Sequence, residues 1–324
     1  MKILLIQTAF IGDVILATPI IEALRKHHYD VKLDVLVRKG NEGLLENNPG
    51  LNSILTWDKK NNKYKNFYKI IKLIRSKNYD VVINLQRFAS TGIITTLSKG
   101  KKTIGYNKNP LSIFFSESYP HFIDTKFGKH EVDRNLSLLK NIIGEVHARP
   151  AMYPSEKENV TTSPYKTKPY FCMAPSSVWF TKQLPFEQWV KLIKKKTIAD
   201  ASAKIYLLGA KNEATYNDSI IAAADSNNVI NLAGKFSFLD TASLMRDAEM
   251  NYVNDSAPLH IASAMNAPVT AFFCSTVPGF GFGPLSDRSI IAQPIEKLDC
   301  RPCGLHGHKE CPKGHFKCGK GIEI

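Results

Sequence analysis

Residues 2–26 read KILLIQTAFIGDVILATPIIEALRK. Ile3, Leu4, Leu5 and Ile6 form a short apolar run, the mark of a strand buried on both faces. The stretch Gln7-Thr8-Ala9-Phe10-Ile11-Gly12-Asp13 interrupts it, and residues 14–26 read as a helix. Strand, loop and helix open a βαβ unit. In a doubly wound sheet the loop after such a strand faces the ligand crevice.

The same alternation continues outward. Strands are expected at 31–37, 51–57, 79–85 and 101–106. A helix is expected at 63–77, where Phe67, Ile70, Ile71 and Ile74 stand near helical spacing. Residues 107–129 carry many aromatics and little period; they read as a long connection or as a lid or acceptor loop. Residues 131–143 look helical, and 149–169, rich in Pro, Ser, Thr and charge, read as a linker. The alternation then restarts. Strands are expected at 170–174, 204–208, 229–232, 250–253, 269–273 and 289–292, with helices at 186–196, 213–224, 239–247 and 257–265. Such alternation means parallel sheets covered by helices. The expected fold is α/β, with two doubly wound domains at 1–150 and 168–299 and a Cys-rich tail at 300–324. The ligand is expected in the cleft between them, at the carboxyl ends of the strands.

Length and composition agree with this reading. The chain has 324 residues, long enough for two domains, with 44% hydrophobic and 22% charged residues. That excludes wholesale disorder and low-complexity classes. Its net charge of +14 favours an anionic partner: nucleic acid, nucleotide or acidic membrane surface. No apolar run is long enough for a transmembrane helix. Residues 3–6 are too short for the apolar core of a signal peptide, so the chain is expected in the cytoplasm. There its six cysteines are expected free or metal-bound rather than paired.

Five segments carry candidate chemistry. The first loop holds one glycine, Gly12, so it is not the dinucleotide fingerprint. Asp13 at the helix start is either a cap or a carboxylate held as a general base. Ser176, Ser177, Thr181 and Lys182 follow the first strand of the second half; hydroxyls, backbone N–H groups and one cation there either hold a phosphate or form a solvated turn. Asp255 and Ser256 open a short helix whose free N–H groups, beginning at Ala257, make an anion site, and His260 faces back toward the same end. Glu213, after Gly209, either accepts hydrogen bonds from ribose hydroxyls or complements the helix dipole. Cys300, Cys303, Cys311 and Cys318, with His306, His308 and His315 between them, either close a structural zinc site or remain reduced thiols. The nearby lysines lack the aromatic platform of a nucleic-acid module.

Taken together, the chain resembles glycosyltransferase family 9, the ADP-heptose:lipopolysaccharide heptosyltransferases. The resemblance rests on Gly12-Asp13 with Thr18-Pro19, on Lys182 with Pro185, on Asn231-Leu232-Ala233-Gly234, and on Asp255-Ser256 with Leu259-His260. Ala262-Ser263-Ala264, the run 268–273 and the Cys-rich tail also fit. The resemblance implies a GT-B fold of two Rossmann-like domains, with the tail crossing back onto the first. It implies inverting transfer of a heptose from an ADP-sugar donor to a lipid A–Kdo core, with no cofactor required. Carried over by position, Asp13 would be the base, with Thr8 and Gly12 beside it on the acceptor side. Lys182 would neutralise the leaving diphosphate. Ser176, Ser177, Thr181, Asp255, Ser256, Ala257 and His260 would hold the donor, and Glu213 would meet the ribose. The implied acceptor is an anionic glycolipid, which places the protein on the cytoplasmic face of the inner membrane, without a nucleic-acid partner. The family usually has glycine where this chain has Ala257 and often tryptophan where it has Leu184. Both departures are expected around the donor. Two other readings use the same features: a nucleotide- or nucleic-acid-binding protein with a zinc-bound tail, and a GT-B sugar-nucleotide epimerase.

Overall fold

The computed structural model describes residues 1–27, 30–125 and 128–324. It contains two six-stranded sheets. The first has strands β1 (Lys2–Ile6), β2 (Lys32–Arg38), β3 (Ser53–Trp57), β4 (Val81–Asn84), β5 (Lys102–Tyr106) and β6 (Glu117–Tyr119), ordered β3-β2-β1-β4-β5-β6. The second has β7 (Tyr170–Ala174), β8 (Lys204–Leu207), β9 (Val229–Asn231), β10 (Met250–Asn254), β11 (Val269–Phe272) and β12 (Ser289–Ala292), ordered β12-β11-β10-β7-β8-β9. Every pairing is parallel.

The two sheets share one winding. In each, the first and fourth strands lie side by side and the chain runs outward from them in opposite directions. The topological switch points are therefore β1/β4, with Leu5 opposite Ile83, and β7/β10, with Ala174 opposite Val253. Loops that leave these strands diverge there and open a crevice. Ile3 to Ile6 are 0% exposed, as strands covered on both faces require.

By its contacts the chain divides into two compact units: Met1–Ile123 with Glu131–Tyr153, and Asp124–His130 with Pro154–Ile324. Asp124–His130 thus groups with the second sheet, and the tail is part of the second unit rather than a piece of its own.

Several elements differ from expectation for local reasons. The first helix breaks into Ile11–Ile15 and Thr18–His27. Pro19 has no N–H to offer the Ile15 carbonyl, and Thr18 Oγ1 takes that acceptor at 2.7 Å instead. Residues 107–129 include β6, tied to β5 through the Ser116 and Thr103 hydroxyls. Lys126 and Phe127 of that stretch lie outside the described residues. The expected linker at 149–169 contains a helix, Glu156–Thr162, capped by Glu158 Oε2 accepting from Ser155 N at 2.7 Å. A further helix, Ala89–Leu97, has no expectation behind it; its run of small and β-branched residues lacks an amphipathic stripe.

The tail corrects another expectation. Phe316, Cys318 and Ile322 are buried in the core that Trp189, Leu192, Ile193 and Phe272 form above the second sheet. Gln188 Nε2 donates to the Lys320 and Ile322 carbonyls. The tail is thus built onto its own domain, because these side chains need apolar cover that the second sheet supplies.

Candidate functional site

In the first domain the loop after β1 is held by side chains from three directions. Gln7 Oε1 accepts from Ala9 N at 3.3 Å and also from Gln86 Nε2, which links this loop to the one after β4. Asn41 Nδ2 donates to Ala9 O at 3.0 Å. Lys59 Nζ donates to Thr8 O and to Thr8 Oγ1, at 3.1 and 2.8 Å. Burial, and to a lesser degree the charge of Arg38, lower the Lys59 pKa to about 8. Thr8 is only 2% exposed, so its hydroxyl is committed to Lys59.

Asp13 is the third residue of the Ile11–Ile15 turn, and its Oδ2 accepts from Phe10 N at 3.1 Å. The carboxylate therefore makes the cap bond, and the helix dipole favours its ionised form. Gly12 precedes it in the same turn. Behind this turn, Asn135 Nδ2 donates to Leu16 O at 3.1 Å, and Tyr106 OH donates to Asn135 Oδ1 at 2.8 Å. A buried chain from β5 thus holds the helix break just after Asp13. Nothing local in the sequence marks Asn135 or Lys59 for these tasks; both reach the loop through the fold.

In the second domain the loops after β7 and β10 meet at the switch point. Asn254, fully buried, knits them together. Its Nδ2 donates to Pro175 O at 2.7 Å and its Oδ1 accepts from Leu184 N at 2.8 Å. Lys182 Nζ lies 2.7 Å from Asp255 Oδ2, and Thr276 Oγ1 donates to the same oxygen at 2.6 Å. Asp255 is thus an anion spent on a cation and a hydroxyl of its own domain. The pair holds the Lys182 ammonium against the end of β10.

Ser256, partly exposed, begins the helix Ala257–Ala264, and no side chain caps that terminus among the described residues. Pro258 has no N–H and Leu259 N donates to Ser256 O at 3.0 Å, so this terminus offers an anion the Ala257 N–H and the positive end of the helix dipole. His260 sits one turn in and is buried, and its Nδ1 has no hydrogen-bond partner. Burial lowers its pKa to about 4; the Asp255 charge opposes this, and His130 and Lys182 reinforce it. The ring is therefore neutral at pH 7, with one polar atom still to be satisfied.

Two expected donor residues, Thr181 and Glu213, have partners within their own domain. Thr181 is buried: its Oγ1 accepts from His308 N at 2.7 Å and from Ser275 Oγ at 3.1 Å. Its hydroxyl holds the tail. Glu213 Oε2 accepts from Ala210 N at 2.7 Å, so one of its oxygens caps its own turn. Leu184 is fully buried beside Trp189, so this departure from the family pattern belongs to the core and not to a donor surface. Ser176, Ser177 and Ala257 are partly exposed at the switch point.

The tail closes behind Lys182. Gly307 has φ +74°, and a Cβ there would stand 2.8 Å from Thr181 Oγ1 and 3.0 Å from Lys182 Cγ. Only glycine suits that backbone and that approach. Cys303 N donates to Ser275 O at 2.8 Å, and the Arg301 guanidinium clamps the Phe273, Cys274 and Thr276 carbonyls. All six cysteines are free thiols. Among the described residues no group of three or more His, Cys, Asp or Glu side chains is placed to hold a metal ion; Cys300, Cys303, Cys311 and Cys318 stand in the tail as separate thiols. Burial, followed by the Cys311 and Cys300 charges, lifts the Cys318 pKa to about 11, which keeps it a thiol.

Comparison with known proteins agrees with the fold and gives the family. A family model described as glycosyltransferase family 9 (heptosyltransferase) matches residues 67–312. Lipopolysaccharide heptosyltransferase 3 of Escherichia coli is 27% identical over 287 residues, 82% of each chain. A glycosyl transferase family 9 structure from Veillonella parvula superposes with a TM-score of 0.81 at 20% identity, covering 90% of this chain and 85% of that one. An E. coli heptosyltransferase bound to ADP-2-deoxy-2-fluoro heptose superposes at 0.74 and 20% identity, covering 91% and 93%.

Proposed function

This chain belongs to glycosyltransferase family 9, and from that premise we propose that it moves a heptose from an ADP-heptose donor to the inner core of lipopolysaccharide, with inversion. Its two Rossmann-like domains, the GT-B fold, supply one half of the reaction each. The observation that carries this reading is the second switch point. A lysine locked by Asp255, an uncapped helix N-terminus and the unsatisfied Nδ1 of a neutral His260 converge where a diphosphate needs positive charge and hydrogen bonds.

Asp13 accepts the proton of the acceptor hydroxyl. The oxygen forms a bond to the anomeric carbon while the bond from that carbon to the diphosphate oxygen breaks on the opposite face. ADP leaves with the electron pair. Lys182 and the Ala257 N–H, at the positive end of its helix, meet the charge that develops, and they do so without reorganisation because they are held in advance. Ser176, Ser177 and Ser256 bind the diphosphate beside them, and the second Glu213 oxygen takes a ribose hydroxyl. No metal or cofactor is needed for these steps.

The acceptor is an anionic lipid A–Kdo core, and the +14 charge suits work at the cytoplasmic face of the inner membrane. Among the described residues no helix is long and apolar enough to cross a membrane, and the membrane contact proposed is a peripheral one. The similarity to lipopolysaccharide heptosyltransferase 3 and the ADP-sugar analogue bound by a structural relative support this reading. Its test is direct. Purified protein, ADP-heptose and heptose-deficient core lipopolysaccharide are incubated, and the acceptor's mass is measured. A gain of one heptose with release of ADP is expected. No gain, or epimerised donor without transfer, would overturn it.

A further inference from the structure

We propose that the helix Lys63–Ser76 docks the first domain on an anionic bilayer surface; this rests on the reading above that the acceptor is a membrane glycolipid. The helix is built for two surroundings. Ile70, Ile71 and Ile74 are buried in the core above the first sheet, and Phe67 packs against Trp57 with ring centroids 5.4 Å apart. Outside that buried stripe the helix exposes Tyr64 at 83% and Tyr68 at 69% along one side and Leu73 at 42% on the other.

At about 100° per residue, Tyr64, Tyr68 and Lys72 form one inclined row on the exposed side, and Lys65 and Lys69 lie beside it. Among the described residues none of Lys63, Lys65, Lys69 and Lys72 makes an ion pair with a carboxylate, and residues 59–77 contain no Asp or Glu. A solvated helix usually intersperses both signs. This one presents cations alone, flanked by tyrosines whose rings are apolar and whose hydroxyls are wet. That combination suits the headgroup level of an anionic leaflet: the lysines meet phosphates and the tyrosines settle at the interface.

The position of the helix gives docking a consequence. The loop that leads into it is tied to the loop after β1 by Lys59 Nζ on Thr8. The start of the helix, with Tyr64, therefore lies at the carboxyl edge of the first sheet, the edge that carries Asp13. Docking here holds that edge at the surface from which the acceptor projects.

The test is sedimentation of the full-length protein with vesicles of phosphatidylglycerol and phosphatidylethanolamine, against vesicles of phosphatidylcholine alone. The variant Lys65→Glu/Lys69→Glu/Lys72→Glu is expected to lose about ten-fold or more in partition to the anionic vesicles. Tyr64→Ala/Tyr68→Ala, which leaves charge unchanged, is expected to lose a few-fold. A charge-matched control on the second domain, Lys191→Glu/Lys194→Glu/Lys195→Glu, is expected to lose less than about three-fold. Equal loss in the control would show that net charge alone drives binding and would overturn the proposal. So would equal binding to neutral vesicles, or loss of affinity for a short oligonucleotide with vesicle binding intact. Transfer to a water-soluble core oligosaccharide should be unchanged in the helix variants. If the wild type fails that transfer while the vesicle results hold, the proposed function falls and the docking stands.

Discussion

Lys182 Nζ and Asp255 Oδ2 stand 2.7 Å apart, and this pair ties the loop after β7 to the end of β10. Both side chains are largely withdrawn from solvent, at 15% and 7% exposed. A lysine held this way is already aimed when a diphosphate arrives.

Lys182→Ala is expected to weaken ADP binding and slow transfer together, because its charge meets the diphosphate in ground and transition states alike. Asp255→Asn should reduce turnover with a smaller effect on ADP affinity, since the cation remains but loses its anchor. Lys182→Arg is not expected to retain full activity, because a planar guanidinium fork does not replace a compact point charge. Calorimetric titration with ADP, set beside turnover, checks all three. Unchanged ADP affinity in the alanine variant would place the cation elsewhere.

Asp13 offers a separation of cap from base. Asn can still accept the hydrogen bond from Phe10 N, whereas Ala cannot. Both substitutions should lower turnover by about 10²–10⁴. Only Asp13→Ala should also lower stability, by about 1 kcal/mol. Thermal unfolding and initial rates on the same preparations read the two effects. An asparagine variant with normal turnover would remove Asp13 from catalysis.

Gly307→Ala places a methyl group against Thr181 Oγ1 and Lys182 Cγ at a positive φ. It is expected to lower the unfolding temperature and to raise the donor KM, because the strain falls on the loop that carries Lys182. A control at Gly304, also at positive φ but with nothing near a Cβ, should lower stability without moving KM. Equal KM values in the two variants would separate the tail from the donor site.

His260 predicts a pH dependence of stability. Its folded pKa is about 4 against 6.5 for an unperturbed ring, so the unfolded chain binds a proton that the folded chain refuses. Stability is fully present above about pH 6.5 and is lost as the pH falls toward 4. The loss amounts to roughly 3 kcal/mol from this group. Asp34 does not contribute in that window. Burial would raise its pKa, but hydrogen bonds from Asn52, Tyr79, Ser53 and Lys77 bring it to about 2. Chemical denaturation between pH 7 and 4.5 should show the fall, and His260→Gln should flatten it. An unchanged slope in that variant would assign the dependence to other groups.

Much of the architecture was legible because strands buried on both faces leave an unmistakable apolar run. Residues 3–6 and 269–272 are examples. Glu117–Tyr119 was not legible: three residues carry too little pattern, and the strand exists because β5 offers an edge to pair with. The break after Ile15 was readable only in hindsight from Thr18-Pro19, since a proline near a helix start is normally welcome there.

At the site, the sequence by itself determined which chemistry was available and in which loops: a carboxylate after β1, a lysine after β7, and an aspartate, a small residue and a histidine after β10. It did so because in a doubly wound sheet the loops after the first and fourth strands are brought together by topology. What those groups touch was decided by tertiary structure alone. Asp255 pairs with Lys182 across 73 residues, Thr181 serves the tail at His308, and Leu184 turns into the core. Spacing along a chain specifies which element a side chain leaves from. Which of several nearby partners it meets depends on burial and packing, and these exist only once the sheets are assembled.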